Sequence, residues 1–240
     1  MNETDQVLAA RRVLVAGGTG NVGEGVTRSL LGRGATVLVP SSSGARLEQL
    51  RALIGPELAT GLVTVEAPYG TFGTAEALAD LVWDSHGGVT DVVALVGGWW
   101  AGKKLWELSE QDWQKVFVSP ATTQLALARA FVPRLGSGSY TTIAGFSSYS
   151  PEPGSGPVSM QGAAQLMMRR VLSKEAAGIP RINDLMLGPI INRSRPQGRR
   201  DWLTADEVGH AVARVIADAR IDDTTVDVQR RPAFETFLAA

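Results

Sequence analysis

Short apolar, β-branched runs alternate with longer stretches of helical patterning along the whole chain. The runs fall at Arg12–Ala16, Ala35–Val39, Leu62–Ala67, Asp91–Val96, Ser139–Ala144, Arg181–Leu187 and Thr224–Gln229. Between and after them the pattern predicts helices over Asn21–Gly32, Ala45–Ile54, Thr74–Ser85, Ser109–Leu135, Pro157–Ala177 and Thr204–Arg220. The last of these opens on Thr204-Ala-Asp-Glu207, a capping-box spacing. Strands alternating with helices predict a doubly wound α/β fold, with one parallel sheet of seven strands covered by helices on both faces. The strand runs lack polar alternation, as a sheet buried on both faces requires. No repeat, low-complexity tract or linker interrupts the pattern, so residues 1–240 read as one domain.

Composition narrows the function classes. Hydrophobic residues make up 44% of the 240 positions, enough for such a core. A net charge of −1 and a pI near 6.2 give no basic field for nucleic acid, so no nucleic-acid partner is expected. Cysteine is absent, which excludes disulfides and thiolate catalysis and fits a reducing compartment. No apolar run reaches the ~18 residues of a membrane span. The N-terminal segment 1–12 is polar and acidic and does not read as a secretion signal. A cytoplasmic protein that binds a small molecule is the expectation.

The first strand run leads directly into Gly17-Gly-Thr-Gly-Asn-Val-Gly23 and then a helix. Glycines at 17, 20 and 23 suit a tight turn, close approach of backbone to a pyrophosphate, and close helix–strand packing. The following helix N-terminus offers free N–H groups to phosphate. Gly17, Thr19, Gly20, Asn21, Val22 and Gly23 are therefore candidate cofactor contacts in a Rossmann-type dinucleotide fold, with Gly97 at the end of the fourth strand. The second strand ends at Ser41 and Ser42, followed by Arg46, and lacks the acidic residue that usually takes the ribose hydroxyls of NAD. Serines and an arginine suit a 2′-phosphate, so NADP is expected over NAD, with no cofactor at all as the remaining alternative.

Those residues, together with Trp113, Ala128-Arg-Ala130, Pro133-Arg-Leu135, Gly188-Pro189 and the Thr204–Val212 stretch, resemble the short-chain dehydrogenase/reductase (SDR) family over nearly the whole chain. The glycine motif is closest to that of the family's extended and atypical branches. The resemblance implies an oxidoreductase with an Asn–Ser–Tyr–Lys tetrad. Carried over by local frame, the Asn position is Pro120, the Ser position Gly145, the Tyr position Val158 and the Lys position Gly162. After Tyr149 the chain has no further tyrosine, and from there on its only lysine is Lys174, so no shift of register restores Tyr-x-x-x-Lys. Ordinary carbonyl reduction is not expected, which makes this an atypical member. The resemblance also implies a homodimer or homotetramer built on the helices at 109–135 and 157–177.

Trp99 and Trp100 follow the fourth strand and would wall a flat or apolar substrate, in a pocket shared with Gly145, Tyr149 and Val158. Tyr149 is the one candidate for a relocated proton donor. Arg193, Arg195, Arg199 and Arg200 cluster after the sixth strand, where the family carries a lid, and would suit an anionic ligand. His86 and His210 lack metal-ligand spacing, so no metal is expected. Three functions remain open: an atypical NAD(P)-dependent enzyme; a non-catalytic nucleotide-binding regulator or the inactive partner of a catalytically competent homologue; and a cofactor-free lyase or cyclase on the same scaffold.

Overall fold

The computed structural model describes residues 7–240; residues 1–6 of the polar N-terminal segment lie outside it. In chain order the strands are β1 (Arg12–Ala16), β2 (Thr36–Ser41), β3 (Leu62–Glu66), β4 (Asp91–Ala94), β5 (Ser139–Gly145), β6 (Arg181–Leu187), the two-residue β7 (Ile190–Ile191) and β8 (Leu203–Thr204), and β9 (Thr225–Val228). The helices are α1 (Gly23–Leu31), α2 (Gly44–Ile54), α3 (Phe72–His86), α4 (Glu110–Trp113), α5 (Ser119–Phe131), α6 (Gly156–Ala176), α7 (Ala205–Ala217) and α8 (Arg231–Ala239).

Seven strands form one parallel sheet in the order β3-β2-β1-β4-β5-β6-β9. The order reverses between β1 and β4, so the crevice above their C-terminal ends is the switch point where such sheets bind ligands. One face of the sheet packs Val13, Val15, Val37 and Leu185 against Val26 and Leu30 of α1, Leu47 and Leu50 of α2, and Val208 and Val212 of α7. The other packs Leu14, Leu38 and Val92 against Leu78 and Val82 of α3 and Leu127 and Phe131 of α5. No helix among the described residues is long and apolar enough to cross a membrane.

Three features depart from the sequence-based expectations. Helix 109–135 is continuous but not uniform: a π-helical turn at Gln114–Val118 joins α4 to α5, and a 3-10 turn at Val132–Arg134 closes it. A C-terminal helix, α8, lies where none was expected; Pro232 in its first turn and Phe234 against the core explain it. The strands β5 and β6 are also less apolar than the pattern suggested. Ser139, Thr141, Thr142, Asn183 and Asp184 are all fully buried. Asp184 is compensated by Arg169 of α6, whose Nε donates to it at 2.9 Å, and by the Thr142 hydroxyl.

Candidate functional site

The glycine turn is fixed by contacts that exclude side chains. Gly17 has φ +86°, and a Cβ there would sit 2.2 Å from the Leu95 carbonyl oxygen beyond β4. A Cβ on Gly23 would lie 2.1 Å from the Gly17 carbonyl oxygen and 2.7 Å from the Gly18 Cα. Gly20 is less constrained, with the Gly17 oxygen 3.1 Å from its hypothetical Cβ. Inside the turn, Gly18 N–H donates to Val15 O (3.1 Å), Gly20 N–H to Gly17 O (2.9 Å) and Glu24 N–H to Gly20 O (2.9 Å). The N–H groups of Thr19, Asn21, Val22 and Gly23 have no acceptor among the described residues. They stand at the positive end of α1.

Helix α1 is held from behind by small residues. A Cβ on Gly25 would meet the Ala205 carbonyl carbon of α7 at 2.4 Å, and one on Gly209 would meet Ser29 Cβ at 2.4 Å. Here the two helix backbones approach too closely for larger side chains.

On the side toward β2 and β3, Ser41 is buried and its hydroxyl accepts the Ser43 N–H at 3.1 Å. Ser43 caps α2, accepting from the Arg46 N–H. Ser42 and Arg46 are exposed. Two residues that the sequence did not single out as ligand contacts join them. Glu66 ends β3 in register with Ser41, and its carboxylate oxygen would lie 2.9 Å from a Cβ on Gly44, against the start of α2. The Tyr69 hydroxyl accepts the Gly17 N–H at 3.1 Å. Burial raises the Tyr69 pKa, offset by that hydrogen bond and by the nearby Arg46 charge.

Gly145 ends β5, Val158 is half-buried in the first turn of α6, and Pro120 is in the first turn of α5. Gly162 is buried one helical turn beyond Val158, and the space above it is filled. A Cβ there would meet Ser148 Oγ at 2.0 Å and Ser148 Cβ at 2.9 Å. Ser148 is fixed in turn by donating to the Gly145 carbonyl at 2.7 Å. Beneath these positions lies a buried amide network that sequence reading missed. Gln124 donates to Gln165 Oε1 (2.9 Å) and Val96 O (3.3 Å), and Gln165 donates to Ile143 O (3.1 Å). Gln161 Oε1 would lie 3.5 Å from a Cβ on Gly97, so the network borders the end of the β4 segment.

No tyrosine hydroxyl in the described chain is hydrogen-bonded to a lysine. Tyr69 is on the glycine turn, Tyr140 is fully buried in the core between the sheet, α3 and α5, and Tyr149 is 55% exposed. Burial pushes the Tyr140 hydroxyl far above the ordinary tyrosine range.

Trp99 is 59% exposed and Trp100 half-buried. Their loop is tied to the segment after β5 by Gly102 N–H donating to Gly154 O at 3.0 Å. An open groove of about 530 Å³ is lined by Leu105, Leu108, Ser109, Glu110, Trp113 and Met160. Trp99, Trp100, Gly145, Tyr149 and Val158 do not line it. The post-β6 arginines are largely paired: Arg193 Nε lies 3.2 Å from the Glu24 carboxylate, Arg199 3.4 Å from Asp201, and Arg195 stacks over Trp202 at 5.8 Å.

Residues 11–178 match the family model described as short chain dehydrogenase. No curated protein matches the chain. Among solved structures, a short chain dehydrogenase from Burkholderia cenocepacia J2315 in complex with NADP aligns at TM-score 0.80 and 20% identity, over 93% of this chain and 98% of that one. A short chain oxidoreductase from Pseudomonas aeruginosa PAO1, an apo structure described as containing an atypical catalytic center, aligns at TM-score 0.81 and 18% identity, over 92% and 97%. A short chain dehydrogenase from Bacillus anthracis str. 'Ames Ancestor' gives TM-score 0.81 and 18% identity, over 92% and 95%. Sheet order, glycine turn and a family match across most of the chain lead to one conclusion: this protein belongs to the short chain dehydrogenase family.

Proposed function

We propose that this chain is a dinucleotide-binding member of the family that takes NADP in preference to NAD and does not reduce carbonyls by a tyrosine–lysine route. The observation that carries the nucleotide half is the set of unengaged amides at Thr19, Asn21, Val22 and Gly23, on a turn where Gly17 and Gly23 leave no room for a Cβ. Free N–H groups at a helix N-terminus are what a diphosphate requires. Gly17 to Gly23 would hold the pyrophosphate, and Gly97 would border the nicotinamide end. The NADP preference rests on Ser41, Ser42 and the exposed Arg46, which makes no ion pair among the described residues. The Glu66 carboxylate opposes it.

When bound, the nicotinamide supplies or accepts hydride; the protein must supply the proton. Reduction of a carbonyl develops an alkoxide, and a positioned acid typically contributes about 10²–10⁴-fold. Val158 cannot donate, and a side chain at Gly162 would collide with Ser148. The chain's own residues therefore support binding and orientation, with the glutamine network as the polar floor. The same collision favours a second reading, a non-catalytic nucleotide-binding regulator or an inactive partner of a competent homologue. A cytoplasmic protein is the expected setting. The exposed apolar side chains Leu125, Met167 and Val171 on α5 and α6 support assembly into a homodimer or homotetramer.

Thermal-shift titration with NADPH and NADH tests the proposal, followed by a ketone-reduction assay. Stabilisation by NADPH, weaker stabilisation by NADH and no reduction of simple ketones are expected. No response to either nucleotide overturns the binding claim; robust ketone reduction overturns the catalytic one. Tyr149→Phe checks the relocated-donor alternative: any activity that survives it unchanged removes Tyr149 from the chemistry.

A further inference from the structure

The short segment between β3 and α3 is held at both ends. Just past the last β3 residue, Glu66, the Ala67 N–H donates to the Ser41 carbonyl at 3.0 Å, so the chain stays paired to the end of β2. At the other end Thr71 and Thr74 cap α3 reciprocally, and the Gly70 carbonyl accepts the Thr123 hydroxyl of α5 at 3.4 Å. Tyr69 stands between these anchors. Its half-buried ring packs against the apolar cluster that holds Leu14, Leu38 and Val65.

That packing sets the hydroxyl beside the first glycine of the turn, where Tyr69 Oη accepts the Gly17 N–H at 3.1 Å. Accepting uses an oxygen lone pair and leaves the hydroxyl proton free to donate. No acceptor for that proton is found among the described residues. Arg46, in the first turn of α2, lies close enough for its charge to act on the same hydroxyl. Its own guanidinium is exposed and makes no ion pair among the described residues. One neutral and one cationic donor are therefore unspent between Gly17 and the start of α2.

We propose that Tyr69 is a specificity residue for the 2′ position of the adenosine ribose, its hydroxyl donating to a 2′-phosphate oxygen while it still accepts from Gly17. The inference rests on the nucleotide reading above and adds a residue to it. With the diphosphate on the glycine turn, the adenosine ribose extends toward the end of β2, and a 2′-phosphate there comes between Gly17 and Arg46. The two donors do different work. Arg46 is exposed and attracts an anion from many directions, whereas the Tyr69 hydroxyl is fixed by its ring packing and by Gly17. A hydrogen bond to a charged oxygen contributes about ten- to a hundredfold in affinity. A bare 2′-hydroxyl is shorter by a whole phosphate and leaves the same donor to water, so it gains little.

Isothermal titration with NADPH and NADH, which differ only in the 2′-phosphate, tests this without any need for turnover. Tyr69→Phe keeps the ring and removes only the oxygen. For this variant NADPH is expected to bind about ten- to a hundredfold more weakly than to the wild type, and NADH within about threefold of it. A purely structural role, in which the oxygen does no more than hold the Gly17 amide, would weaken both nucleotides by the same factor. Equal weakening therefore overturns the assignment and leaves the nucleotide reading standing. So does NADPH affinity that Tyr69→Phe leaves unchanged. The ratio of the two affinities decides even if the variant loses some stability, because both are measured on the same folded protein. Failure of the wild type to bind either nucleotide overturns the nucleotide reading, and this role with it.

Discussion

Gly162→Ala isolates the contact on which the catalytic argument turns. The new methyl would lie 2.0 Å from Ser148 Oγ, 2.9 Å from Ser148 Cβ and 3.4 Å from Ser148 Cα. Rotation of the hydroxyl would relieve the first clash but break its 2.7 Å bond to the Gly145 carbonyl, and the Cβ overlap would remain. Overpacking of this kind costs about 1–3 kcal/mol. Against it stands the gain of about 1 kcal/mol when alanine replaces glycine inside a helix. The net expectation is a loss of about 0–2 kcal/mol. With Ser148→Gly in place the obstruction is gone, and Gly162→Ala should then stabilise by about 1 kcal/mol. A double-mutant cycle by urea denaturation should therefore return a coupling of about 1–3 kcal/mol. At this chain length each kcal/mol moves Tm by about 2–4 °C. Additive effects would refute the packing argument. In that case Val158→Tyr with Gly162→Lys should restore a tyrosine–lysine pair without further change. On the present reasoning it needs Ser148→Gly as well before ketone reduction appears.

Three further outcomes are expected. Glu66→Gln removes a carboxylate from the start of α2 and should tighten NADPH several-fold more than NADH, on the order of 1 kcal/mol at this exposed site; isothermal titration giving equal changes for both would separate Glu66 from the 2′ position. Arg181→Met should cost about 2–4 kcal/mol in thermal denaturation, because the guanidinium donates to the carbonyls of Val215 (3.0 Å), Ile216 (3.0 Å), Asp218 (3.1 Å) and Ile221 (2.8 Å) at the end of α7, and methionine offers them no donor; a Tm within 2 °C of wild type, a margin of about 1 kcal/mol or less, would contradict this. Burial raises the Glu207 pKa, but hydrogen bonds from Arg231 and Thr204 outweigh it and hold the carboxyl below its ordinary 4.5. A depressed folded value means the contribution is present above pH 4.5 and is lost as pH falls through the folded pKa, so Glu207→Gln should flatten the acid limb of the stability curve; an unchanged limb would sink the assignment.

The strands were readable because burial on both faces leaves a plain signal. Arg12–Ala16 and Arg181–Leu187 were placed to the residue, and the other five main strands within two residues at either end. The two-residue β7 and β8 carry no periodicity to read. The amphipathic spacing of Phe234, Phe237 and Leu238 behind Pro232 would have revealed α8. At the site, the glycine turn declared itself by spacing, since its chemistry is backbone chemistry within one stretch of chain. The Glu24–Arg193, Asn21–Ser194 and Tyr69–Gly17 contacts did not, because each partner is an ordinary polar residue whose meaning comes only from a distant neighbour. The same holds for Gln124, Gln161 and Gln165, scattered over two helices.

The close fit of Gly25 and Gly209 across α1 and α7 has a consequence for biogenesis. The helix that presents the phosphate-binding turn, Gly23–Leu31, leaves the ribosome long before residues 205–217, whose helix packs most closely on it. Until then Val26 and Leu30, both fully buried in the finished protein, lack a large part of their cover. A nascent chain cut at residue 178, where the family match ends, would hold the nucleotide-binding sequence while its first helix still lacked the cover that α7 provides.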